Sequence, residues 1–88
     1  PQQRVTIYRQ IGNVYTELSE YVLATQYLFE GLKISERLGL RYESARVYSD
    51  LAWIFKEELN FPLALEYLDK AEKLRFGMND PGSTRVLG

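Results

Sequence analysis

The apolar residues of this 88-residue chain recur at steps of three and four, not in alternation and not in long runs. Val5, Tyr8, Ile11, Gly12, Tyr15 and Leu18 trace one stripe. Leu23, Ala24, Tyr27, Leu28, Gly31, Ile34 and Leu38 trace a second. Residues so spaced share one face of an α-helix, so each stripe predicts an amphipathic helix with that face buried. Ser19-Glu20-Tyr21 interrupts between the stripes, and together they read as a helical hairpin. Gly39 follows the second stripe, where a helix C-terminus favours a residue that tolerates positive φ. Further along, Asn60 is placed to cap a helix with Pro62 in its first turn, where a missing N–H costs nothing.

The same pattern then repeats. Shifted by 40 residues, the chain matches itself without a gap. Tyr8 falls on Tyr48, Glu17 on Glu57, Leu23 on Leu63, Ala24 on Ala64, Tyr27 on Tyr67, Leu28 on Leu68 and Lys33 on Lys73. Conservative pairs fill the intervals: Ile11 with Leu51, Gly12 with Ala52, Tyr15 with Phe55, Gly31 with Ala71. Small residues recur in register where two helices must approach closely, beside aromatic residues that fill the adjacent space. A fixed period of this size indicates a duplicated hairpin whose copies bury apolar faces on one another. Residues 5–44 form the first copy and 45–84 the second, with a turn cluster at Asn79-Asp80-Pro81-Gly82. Arg85-Val86-Leu87-Gly88 reads as the opening of a truncated third.

This arrangement resembles the tetratricopeptide repeat. The residues that carry the likeness are Tyr8, Ile11-Gly12, Tyr15, Leu18, Tyr21, Ala24, Leu28 and Gly31 in copy one. In copy two they are Tyr48, Leu51-Ala52, Phe55, Phe61, Ala64, Leu68 and Ala71. The departures are Glu58-Leu59 where a Leu-Gly pair is expected, no Pro closing either copy, and a period of 40 where about 34 is usual. The longer period is similar to members of bacterial sensor kinases and transcription regulators, kinesin light chains and polarity adaptors. The resemblance implies an all-α fold: an α-α superhelix, or solenoid, of antiparallel hairpins. It also implies a non-catalytic scaffold that holds a peptide or partner domain in a concave groove, as part of a larger bacterial signalling or regulatory protein.

In such a scaffold the first helix of each hairpin lines the groove. The lining positions are Thr6, Arg9, Asn13 and Thr16 in copy one, and Arg46, Ser49, Trp53 and Lys56 in copy two, each set on one helical face. Asn13, directly after Gly12, stands where the family hydrogen-bonds a peptide backbone, a task suited to an amide that both donates and accepts. Arg9, one turn earlier, matches an arrangement that clamps a carboxylate. Trp53 reads either as an interface anchor or as a residue packed on the neighbouring helix. The cations Arg9, Arg46, Lys56 and Arg85 read either as the clamp for an acidic or C-terminal ligand or as a solvated helix face. Phe29, opposite Asp69 of the other copy, reads as a convex contact or as packing on an upstream repeat.

Composition narrows the alternatives. Without His or Cys there is no imidazole or thiolate chemistry, no disulfide and no Cys/His zinc site. The carboxylate pairs Glu57-Glu58 and Glu17/Glu20 lie on surface positions with nothing to bury them, and the glycines are isolated. No enzyme activity, cofactor or metal is expected. A net charge of -1 offers no attraction to nucleic acid or anionic membrane. No apolar run approaches the roughly 20 residues that span a bilayer, and a cytoplasmic location is expected. The chain opens at Pro1 without an initiator Met and reads as a fragment. A second class of function is self-association: the last helix leaves Leu65, Leu68 and Leu74 uncapped, and repeats packed on repeats would position an attached kinase or DNA-binding domain.

Overall fold

A computed structural model describes residues 2–77 of the chain. The expected turn at Asn79-Asp80-Pro81-Gly82 and the opening of a third copy at Arg85-Val86-Leu87-Gly88 lie outside the described residues. The fold is all-α, with helices α1 (Gln2–Glu17), α2 (Tyr21–Arg37), α3 (Arg41–Glu57) and α4 (Phe61–Gly77).

Three turns of one design join the helices. The middle residue of each has positive φ: Ser19 at 61°, Gly39 at 71° and Leu59 at 63°. The residue after it sends its N–H back across the turn: Glu20 to the Tyr15 carbonyl, Leu40 to Ser35 and Asn60 to Phe55, each at 2.8 Å. The middle residue donates to the carbonyl three back, which completes a Schellman closure. Only Gly39 announces this conformation in the sequence. Ser19 and Leu59 adopt it against a steric penalty of roughly 1–2 kcal/mol, because helix packing on either side fixes the path. Leu18 and Leu38 stand at these helix ends and are exposed, although their spacing places them in the apolar stripes. Asn60 Oδ1 accepts the Leu63 N–H in a long bond of 3.4 Å, so this cap forms as expected.

Within each hairpin the helices run antiparallel. Gly12 backs onto Ala24 and Leu28, while Gly31, further along α2, backs onto Tyr8 and Val5, earlier in α1. In the second hairpin, Tyr48 and Phe55 of α3 both meet the ring of Tyr67 on α4 edge to face, at centroid distances of 5.6 and 5.1 Å. Helix α2 then joins α3 through a buried hydroxyl pair. Ser35 Oγ donates to the Leu32 carbonyl at 3.0 Å, so Ser44 must supply the proton of the 2.6 Å bond between the two serines. The arrangement is complete, with no buried side-chain polar atom left unpaired among the described residues.

Helix α3 packs on α2, α4 and, more lightly, α1, whereas α1 and α4 make no close backbone approach. This is an open row of helices, not a closed bundle. One core of Val5, Ala24, Leu28, Leu32, Val47, Leu51 and Ile54 runs through it, flanked by Tyr15, Tyr48, Phe55 and Tyr67. Phe29 belongs to this flank. Its ring meets Tyr67 of α4 at 6.4 Å, so it packs downstream and not on an upstream repeat.

Candidate partner-binding surface

Helix α2 runs antiparallel to α1 and turns back into α3 beside the Ser35–Ser44 pair, so α1 and α3 run in the same direction. Arg9 on the first reaches Asp50 on the second. Arg9 Nε donates to Asp50 Oδ2 at 2.7 Å, with both side chains about one-fifth exposed. The sequence leaves Arg9 either as a clamp for a ligand carboxylate or as part of a solvated helix face. The structure gives it a carboxylate of its own, 41 residues away in the chain. Arg9 therefore fastens the two helices to each other, and a ligand would have to displace Asp50.

The other members of the α1 row differ in availability. Thr16 Oγ1 donates to the Gly12 carbonyl at 2.9 Å, which occupies its proton on its own helix. Asn13 is half-buried and Thr6 exposed. On α3, Arg46 is exposed, while Ser49 Oγ accepts a 3.1 Å bond from Arg75 of α4. Trp53 is 46% exposed, with Lys56 Nζ 5.7 Å from its ring centroid. That distance allows a cation–π contact, of modest strength at an exposed site. Trp53 thus keeps exposed apolar surface while Lys56 of its own helix stands over its ring.

Trp53 also has a second neighbourhood. With Ser49, Ala52 and Lys56 it forms one wall of a groove of about 350 Å³, and Phe61, Ala64, Leu65 and Leu68 of α4 form the other. Phe61, Leu65 and Leu68 are all exposed there. Leu74, grouped with Leu65 and Leu68 by spacing alone, lines a different cavity of about 450 Å³ together with Ser35, Tyr48 and Lys70. In that cavity Tyr48 Oη donates to Glu36 Oε2 at 2.6 Å. Burial, then the Glu36 bond and its charge, push the Tyr48 phenol up to about 12. Tyr67 is raised as well, again chiefly by burial. These phenols stay protonated at neutral pH and act as packing groups.

No group of three or more acidic, His or Cys side chains is placed to hold a metal ion among the described residues. No described helix is long and apolar enough to cross a membrane. In comparisons with known proteins, the chain matches no family model, no curated protein and no solved structure.

Proposed function

We propose that the chain is a non-catalytic interaction module of the tetratricopeptide kind, in which α1 and α3 together present a face to a peptide or partner domain. The reading draws its support from the parallel placement of those helices, fastened by Arg9 and Asp50. Asn13, Arg46 and Trp53 are then the members of the two rows best able to receive a ligand. Asn13 suits a peptide backbone, Arg46 an acidic side chain or C-terminal carboxylate, and Trp53 an apolar side chain. The module would act in the cytoplasm, as part of a larger signalling or regulatory protein.

The probe for this reading is a library of short peptides with free C-terminal carboxylates, selected on the intact chain. Joint replacement Asn13→Ala and Trp53→Ala should weaken the selected peptides by about tenfold or more, with the circular dichroism unchanged. Arg9 is left alone, because its loss would loosen the α1–α3 contact itself. Undiminished binding, or no selected peptide at all, would remove the α1–α3 face as the site.

A further inference from the structure

The two ends of the helix row are unlike each other and complementary. Their chemistry becomes clear from the internal repeat, because each end position has a counterpart at the junction between the hairpins. At that junction Val47 and Ile54 of α3 are 0% exposed, covered by the preceding hairpin. Their counterparts 40 residues earlier, Ile7 and Val14, are 52% and 55% exposed. The receiving side shows the reverse. Leu28 is 0% exposed beneath α3, while its counterpart Leu68 is 44% exposed in the groove between α3 and α4.

We infer that this groove seats α1 of a second copy of the chain, so that chains stack head to tail in the manner of the internal junction. Ile7 and Val14 then take the places that Val47 and Ile54 hold in the existing contact. Val14 lies over Ala64, Leu65 and Leu68, and Gln10 meets Ser49 where Asp50 meets Arg9. The contact continues an interface the fold already contains. The groove is more apolar than the surface it repeats, since Trp53 replaces Asn13 and Leu65 replaces Thr25. Towards the C-terminal half of α4 the match becomes polar: Asp69 and Glu72 stand where the first hairpin has Phe29 and Leu32, and Arg4 would lie near Glu72 and Arg75. The stack is therefore weaker than the internal junction. It is also heterologous, so chains add head to tail and no two-fold dimer results.

Trp53 belongs to both the ligand face and the groove, whereas the residues replaced to test stacking, Ile7, Val14 and Leu65, lie outside the proposed ligand residues. Sedimentation equilibrium of the 88-residue chain should show a mass that rises with concentration beyond that of a dimer. A head-blocked variant, Ile7→Glu with Val14→Glu, and a tail-blocked variant, Leu65→Glu, should each lose association by about tenfold or more. All three positions are exposed, so helicity should be retained. Mixed one to one, the two variants should form a heterodimer and stop there, since only one productive contact remains. A wild-type monomer at millimolar concentration would overturn the inference. So would a closed dimer, or association that survives blocking of the head.

Discussion

Replacing Leu28 by Ala should destabilise the chain by about 3 kcal/mol, whereas Leu68→Ala, the same change at the corresponding place in the second hairpin, should cost under about 1 kcal/mol. Leu28 is fully buried between Gly12 on one side and the core residues of α3 on the other. Shortening it removes buried apolar area and leaves a cavity that the small residues Gly12 and Ala24 cannot fill. Leu68 is almost half exposed in the end groove and loses little on truncation. Urea unfolding of the three proteins reads the difference as a shift in midpoint. In a chain of this size the Leu28 change should also lower the melting temperature by roughly 10–20 °C. Equal costs at the two positions would mean that α3 does not cover the first hairpin as described.

A second large effect is expected at Gly12. A Cβ added there would stand 2.8 Å from Leu28 Cγ and 3.3 Å from the Ala24 carbonyl oxygen. Leu28 is enclosed and cannot swing aside, so α1 and α2 must separate. Alanine normally gains up to about 1 kcal/mol over Gly inside a helix. Overpacking of about 1–3 kcal/mol outweighs that gain, and Gly12→Ala should be net destabilising by about 1 kcal/mol. Gly12→Val, with two more carbons in the same space, should cost about 3 kcal/mol. The second hairpin carries Ala52 at this position without difficulty, and the reason lies in its neighbour: Leu68 faces the open groove and has room to move. Thermal unfolding by circular dichroism would check the ordering Gly, Ala, Val. A more stable Gly12→Ala protein would show that the helices are less closely set.

The helices and hairpins were legible in the sequence because three- and four-residue spacing fixes which face a helix buries against its immediate partner. The stripe through Val5, Tyr8, Gly12 and Tyr15 correctly orients α1 on α2. Spacing does not, however, fix the register between helices that are distant in the chain. Nothing local to Arg9 announces Asp50, so spacing alone leaves its guanidinium to a ligand carboxylate or to solvent. Spacing groups Leu74 with Leu65 and Leu68 for the same reason, although Leu74 lines another cavity. The turns show a different limit. Gly39 marks its positive φ, while Ser19 and Leu59 adopt the same conformation only because the helices they connect require it. Of the candidate site, Trp53 and Asn13 could be placed on the correct helices from sequence. Which neighbours they meet followed only from the packing of α3 and α4.

The side-by-side, parallel placement of α1 and α3 underlies both the ligand face and the stacking of hairpins, and a double-mutant cycle between Arg9 and Asp50 tests it most directly. With Arg9→Gln, Asp50→Asn and the double replacement measured by urea unfolding, a bond of 2.7 Å at this degree of burial should give a coupling of about 1 kcal/mol. A coupling indistinguishable from zero would contradict the bond between Arg9 and Asp50 that fastens α1 to α3.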